Sequence, residues 1–315
     1  VMADNLSIFI TGGAGYLGSI LVPSLIQDGY KVTVLDNFLF EQNSLSHICA
    51  NPNFDIVCGD ARDEALVAKH VRDADVVIPL AALVGAPLCD KDPIGATTLN
   101  RDAVEMLVGN LTPDQKIIMP ITNSGYGIGE TDKYCTEKTP LNPITLYART
   151  KVEAEGFVLA HENGISLRLA TVFGMAPRMR VDLLVNDFVY RAVKDRAVVL
   201  FESHFKRNYI HVRDVTRAFR HAISNFSAMK GEAYNVGLSD ANISKWELCE
   251  KIQFHLPNFV FMEAPIGEDP DKRDYIVSNE KLEATGFKPV HSLDDGIVEL
   301  IKGYKMIRND IYGNF

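Results

Sequence analysis

The chain has 315 residues, enough for one large core or two fused ones. Acidic side chains outnumber basic ones, 41 to 32, and the formal net charge of -9 argues against a general nucleic-acid binder while leaving room for a local basic pocket. Hydrophobic residues make up 47%, the balance of a soluble globular protein, and no apolar run approaches the roughly 18–20 residues of a membrane span, so neither nucleic acid nor membrane is expected as a partner.

In chain order, short β-branched runs alternate with longer helical patterns. Residues 1–5 carry no basic stretch of a secretory leader and run straight into a strand-like segment. Residues 6–11, 31–35, 54–58, 75–80, 116–122 and 166–172 read as buried parallel strands. Between them, residues 16–27, 63–71, 98–111 and 147–161 read as helices. Alternation of this kind predicts an α/β fold, a Rossmann-type doubly wound parallel sheet with right-handed crossovers.

After about residue 172 the rhythm breaks. The pattern predicts a helix over 181–193, a strand near 198–201, a helix over 212–224, a strand over 232–236 and a helix over 245–256. A Pro- and Asp-rich loop at 265–273 and a final helix over 293–307 complete the chain. With no repeat and no low-complexity linker, the expected organisation is a nucleotide-binding domain over 1–175 with returning segments near 205–240. A smaller, interleaved C-terminal α/β substrate lobe would occupy most of 176–315.

The first strand leads at once into Gly12-Gly13-Ala14-Gly15-Tyr16-Leu17-Gly18, which opens a helix. Gly12 permits the tight turn, Gly15 lets the backbone approach a pyrophosphate, and Gly18 allows close helix–sheet packing, so the helix N-terminus faces a diphosphate. Asp36 ends the second strand, where a carboxylate grips adenosine ribose hydroxyls or else simply ends the strand in a turn. No Arg or Lys lies between Asp36 and His47 to neutralise a 2′-phosphate, which favours NAD over NADP.

Downstream, Tyr147 and Lys151 stand four apart on a predicted helix, so they share one face. There the ammonium would lower the phenol's pKa and let it exchange a proton near neutral pH. With Thr122 as an upstream hydroxyl and the dinucleotide loop in the right order, the set points to hydride transfer on an alcohol or ketone. The five cysteines (Cys49, Cys58, Cys89, Cys135 and Cys249) are odd in number and lack a CxxC pair, so free thiols in a reducing cytoplasm are expected. The eight histidines show no HxxxH or HExxH spacing, and no metal is expected.

The glycine loop, Asp36, Gly59-Asp60, Leu80-Ala81-Ala82, Thr122 and the YxxxK pair together resemble the extended short-chain dehydrogenase/reductases, and more narrowly the nucleotide-sugar epimerase/dehydratase group. Arg207-Asn208-Tyr209-Ile210-His211-Val212-Arg213-Asp214 resembles that group's substrate-lobe segment, and the likeness runs from about residue 6 to about residue 307. The resemblance implies NAD contacts from Gly12, Gly15, Tyr16, Leu17, Gly18, Asp36, Asn37, Asp60, Ala61, Leu80, Ala81 and Ala82, with Asp60 on the adenine. It implies Tyr147 as acid/base, Thr122 as its hydrogen-bonding companion, and Lys151 on the nicotinamide ribose. For a nucleotide-sugar substrate it implies Asn100, Ser124, Thr171, Asn186, Arg207 and Arg273, the two arginines suiting a diphosphate. Structural readings stand beside these: helix caps or polar surface for Asn100 and Asn186, salt bridges for Arg207 and Arg273.

The sequence departs from the group's pattern in places. The 4,6-dehydratases carry Asp-Glu directly after the catalytic threonine, where this chain has Asn123 and Ser124, so dehydration is disfavoured. Thr171 replaces the usual asparagine after the sixth strand, Pro79 a common histidine, and Asn208 the usual aspartate. What remains is reversible oxidation at C4 of a nucleotide-linked sugar, as a 4-epimerase or as a one-way C4 dehydrogenase or 4-ketoreductase. A non-catalytic nucleotide sensor is the reading from another class, and the intact Thr122/Tyr147/Lys151 set opposes it. The resemblance also implies a homodimer through a four-helix bundle, built from helices 98–111 and 147–161. Val104, Leu107, Val108, Val152, Phe157 and Leu159 would supply its contacts, unless they face the sheet. Substrate choice is expected in loops near 83–97, 173–190 and 258–275.

Overall fold

The computed structural model describes residues 6–130, 132–269 and 271–307. The first five residues, read above as leading straight into a strand, lie outside the described residues, as does Pro270 of the 265–273 loop. The strands are β1 (Ser7–Thr11), β2 (Lys31–Asp36), β3 (Phe54–Cys58), β4 (Val76–Pro79), β5 (Lys116–Thr122), β6 (Tyr134–Cys135) and β7 (Gly164–Leu169) in the first half. The second half adds β8 (Thr171–Phe173), β9 (Ala197–Leu200), β10 (Lys206–His211), β11 (Glu232–Val236), β12 (Asn242–Ser244), β13 (Val260–Glu263) and β14 (Ile276–Val277). The helices are α1 (Gly18–Gln27), α2 (Glu64–Val71), α3 (Ala86–Lys91), α4 (Pro93–Thr97), α5 (Ala103–Gly109), α6 (Leu146–Ala160), α7 (Leu184–Lys194), α8 (Val212–Ser224), α9 (Phe226–Met229), α10 (Lys245–His255), α11 (Glu280–Glu283) and α12 (Leu293–Tyr304).

Seven strands form one sheet in the order β11-β7-β5-β4-β1-β2-β3, with every neighbouring pair parallel. The order reverses between β1 and β4, where the strand ends diverge and leave a crevice. Thr11 is in register with both Leu35 and Pro79, so the turns after β1, β2 and β4 meet at one rim. Alternation along the strands builds two cores. Ile8, Ile10, Val32, Val34 and Ile78 join a large cluster that also takes in Phe173, Phe219, Leu248 and Tyr304 from the second half. Phe9, Leu35, Val77, Ile117 and Met119 face Val67, Val71, Ala154 and Val158 of α2 and α6.

The structure corrects the sequence reading at several points. The strand read over 166–172 is two: β7 stays in the main sheet, while β8 pairs with β10 in a three-stranded sheet with β12. The segment 83–97, read as loop, contains α3 and α4. Asp92 caps α4 by accepting from Gly95 N at 2.9 Å, and Pro93 takes the first helical position, where its missing N–H costs nothing. A π-helical turn, Thr98–Asp102, then joins α4 to α5. Val104 and Leu107 do not face outward, as a dimer contact would require; both are buried in the core against the sheet. Among the described residues no helix is long and apolar enough to cross a membrane.

Candidate active site

The rim of the crevice opens into a cavity of about 1140 Å³, above the ~300–1,000 Å³ of a usual single-ligand pocket. Its floor is the glycine turn. Gly12 has φ 72°, and a Cβ there would fall 2.5 Å from Ala81 N, so only glycine lets β1 and the Leu80–Ala82 stretch approach this closely. A Cβ on Gly18 would lie 2.1 Å from Gly13 O, which explains the tight entry into α1. Gly15 is different. Its Cβ would meet only Gly12 O, at 3.2 Å, leaving the turn open on the cavity side. Asp36 buttresses this turn, accepting from Ala14 N and Phe38 N at 2.9 Å each.

Helix α6 supplies one wall. Thr145 caps it by accepting from Ala148 N at 3.1 Å, which sets Tyr147 in the first turn and Lys151 one turn later, both lining the cavity. Thr122, which lines the same cavity, ends β5, donates to Ser124 Oγ at 2.8 Å and accepts from Ser124 N at 3.1 Å. The expected charge coupling is overruled by burial. Burial pushes Tyr147 up to about 12, with Arg180 and Arg273 pulling it down, and pushes the Lys151 ammonium down to about 8. Lys151 is therefore still mainly charged at neutral pH, but the arginines, more than this lysine, oppose the burial of the phenol.

Those arginines form the far wall. Arg273 donates from Nε to Asp271 Oδ1 at 2.6 Å and from Nη1 to Ser124 Oγ. Arg207 meets the same Asp271 carboxylate at 3.3 Å. Burial works against the Asp271 charge, yet the two arginines outweigh it and hold the carboxyl well below its usual range. Arg180, nearly buried, is clasped by Asp182 with Nε–O distances of 2.9 and 3.0 Å. The arrangement presents four guanidinium groups, counting Arg178, to whatever enters, which suits phosphate oxygens.

The cavity gathers Gly12, Gly15, Tyr16, Leu17, Gly18, Asp36, Asn37, Asp60, Ala61, Leu80, Ala81 and Ala82, together with Thr122, Ser124, Tyr147, Lys151, Thr171, Arg207 and Arg273. Asp60 arrives with its carboxylate already held by Arg62, 2.6 Å away. Two expected substrate residues are not on the cavity wall. Asn100 is fully buried and clamps Leu83, accepting from its N and donating to its O, each at 2.8 Å. Asn186 is equally buried; it accepts from Gly174 N at 3.0 Å and donates to Arg180 O at 2.8 Å and to Tyr16 Oη at 3.3 Å. Both amides are satisfied by backbone and shape the wall from behind. Cys135 likewise lies outside, in a small cluster with Tyr126, Tyr275 and Val277.

Sequence reasoning missed Arg178, Arg180, Asp182 and Asp271, which line the cavity. The available signal was Arg178-Met179-Arg180, two cations flanking one residue a short way past the end of β8.

Residues 8–237 match the model of the NAD dependent epimerase/dehydratase family. The chain belongs to this family. It is an NAD-dependent enzyme. The low-salt glycan biosynthesis protein Agl12 of Haloferax volcanii is 28% identical over 315 residues, 95% of this chain and 98% of that protein. A putative UDP-glucose 4-epimerase of Methanocaldococcus jannaschii is 26% identical over 312 residues, 95% and 98%. In structure, a dTDP-glucose 4,6-dehydratase of Bacillus anthracis in complex with NAD superposes with a TM-score of 0.82 at 23% identity, covering 96% of this chain and 97% of that one. Epimerases and dehydratases thus stand side by side among the relatives, and the choice between them rests on residues.

Proposed function

We propose that the enzyme oxidises C4 of a nucleotide-linked sugar reversibly and acts as a 4-epimerase. The observation that carries this reading is one cavity lined by Tyr147, Lys151 and Thr122 with no carboxylate at the two positions after the threonine, Asn123 and Ser124. NAD supplies hydride transfer when bound in the cavity. Around that chemistry, Tyr147 exchanges a proton with the C4 oxygen and Thr122 hydrogen-bonds the same oxygen. Lys151 lies one turn along α6, where its charge stabilises negative charge developing on the phenol. Arg207 and Arg273 take the diphosphate of the sugar nucleotide. Elimination of water would need a second acid–base pair beside Thr122. Asp271, held below the usual carboxylate range by Arg273 and Arg207, is a poor proton donor, and Asp182 is engaged by Arg180.

A one-way dehydrogenase or 4-ketoreductase uses the same side chains, and cofactor accounting separates the two. The test incubates purified protein with a panel of sugar nucleotides and follows absorbance at the NADH band. Product with the epimeric C4 configuration and no net NADH supports the epimerase; NADH formed in proportion to sugar overturns it in favour of the dehydrogenase.

We infer further that the enzyme works as a homodimer in the cytoplasm. Gly156 is exposed inside α6, and a Cβ on it would meet nothing within 4 Å. An exposed glycine inside a helix costs about 1 kcal/mol against alanine, a cost recovered where a second helix packs closely. The contact face would then centre on Gly156, Phe157 and Val108, with Val104 and Leu107 left in the core. All five cysteines are free thiols, which supports a reducing compartment.

A further inference from the structure

The segment running from Gly174 to Asp182 leaves the end of β8 and crosses the entrance of α1. Three contacts set its path. Tyr16 Oη donates to Gly174 O at 2.7 Å, Asn186 bonds both Gly174 and Tyr16, and Arg178 N donates to Ser19 Oγ at 3.3 Å. Ser19 is the second residue of α1, so the backbone of Arg178 sits directly over the first turn of the helix that follows the glycine loop. Its side chain is only 2% exposed, lines the cavity, and lays its guanidinium carbon 4.1 Å above the ring of Phe40. Phe40 belongs to the loop that leaves Asp36, on the other side of the glycine turn. The guanidinium therefore bridges the start of α1 and the loop after β2.

We propose that Arg178 binds the NAD diphosphate, closing over it from the substrate half of the chain while the glycine loop holds it from below. The proposal rests on the NAD assignment and not on which sugar reaction follows. The α1 N-terminus offers backbone N–H groups and about half a positive charge, which leaves most of a diphosphate's charge unmatched. A planar guanidinium fork is the side chain best shaped to meet the remaining oxygens. Burial, with Arg180 close by, pushes Arg178 down to about 10, while Asp182 and Asp36 pull the other way. Nη1 also donates to Met179 O, so the side chain is held in place before an anionic ligand arrives. Stacking on Phe40 fixes the guanidinium plane, so little freedom is lost on binding. One consequence bears on the reaction: cofactor held by both halves of the chain cannot leave until the 174–182 segment lifts. That retention is what an enzyme needs if it must return the same hydride.

The experiment compares NAD+, ADP and adenosine by calorimetry on cofactor-stripped protein, in the parent and in Arg178→Gln and Arg178→Lys. The Gln variant is expected to weaken NAD+ and ADP by about tenfold or more and adenosine by less than about twofold, with the Lys variant in between. Unchanged ADP binding overturns the proposal. So does a parallel loss of adenosine affinity, which would make Arg178 a residue that only shapes the wall. Should the Gln variant fail to fold, the Lys variant decides by the same comparison of ADP with adenosine. A parent protein that binds none of the three would instead refute the cofactor assignment on which the proposal rests.

Discussion

Arg168 clasps Glu155 with Nε–Oε1 and Nη2–Oε2 distances of 3.0 and 2.9 Å, joining the helix that carries Tyr147 to strand β7. Both side chains are over nine-tenths buried. Ser166 Oγ donates to the same carboxylate at 2.6 Å, and Arg168 continues through Tyr126 Oη to Asn235 of β11. Removing one partner of such a pair leaves the other charged and unmatched. Glu155→Ala should cost about 3–5 kcal/mol of unfolding free energy in urea titrations. A loss under about 1 kcal/mol would show that the network relaxes freely.

Tyr147→Phe removes the exchangeable proton and keeps the ring. Turnover should fall about 10²–10⁴-fold with the sugar-nucleotide dissociation constant changed by no more than a few-fold. Steady-state rates and calorimetry on the same preparation check both halves of the expectation. Retained turnover would remove Tyr147 from the chemistry.

Lys151 carries a pH signature that separates its burial from its role in turnover. Its folded-state pKa, about 8, lies below the 10.5 of an exposed lysine, so the unfolded chain binds more protons between those values and stability rises with pH across that window. Tyr147 acts oppositely: raised from 10.0 to about 12, it makes stability fall as pH climbs through that higher range. Lys151→Met should stabilise the cofactor-free protein at pH 7 by about 2–3 kcal/mol, flatten the rise from pH 8, and abolish turnover. Denaturation curves at pH 7, 9 and 10 measure this. A destabilised variant would mean that the ammonium is well solvated in the cavity.

Gly156→Arg places a long charged side chain on the bare outer face of α6. The variant should shift the mass from dimer to monomer in light scattering at micromolar concentration, with the fold kept. A parent protein that is already monomeric would reject the dimer.

The parts legible in the sequence were those with local rules. The runs around Ile8, Val34 and Ile118 are β-branched and apolar, and parallel strands buried on both faces demand that. The glycine turn announces itself because Gly12 and Gly18 sit where no Cβ fits. Strands of two or three residues, such as β6, β12 and β14, leave no periodicity to read, since their pairing depends on partners far along the chain. Helix α4 did carry a signal, Asp92 followed by Pro93, and reading it as loop overlooked the cap. Asn100 and Asn186 look like ligand-binding amides by position, but what their side chains meet is decided by backbone from Leu83 and Gly174, which no local pattern reveals. The burial of Arg178 and Arg180 is hidden for the same reason.

Strand β11 occupies the outer edge of the main sheet beside β7, although some sixty residues of the second half lie between them in the chain. During synthesis, β7 therefore waits with one side of its hydrogen-bonding groups open until the ribosome has delivered residues 232–236. A fragment stopped near residue 175 would keep that open edge and expose Asn235's partner Tyr126, inviting strand-to-strand aggregation. The main sheet is thus expected to reach its native state only after residues 232–236 have emerged, with its late completion as the slow step.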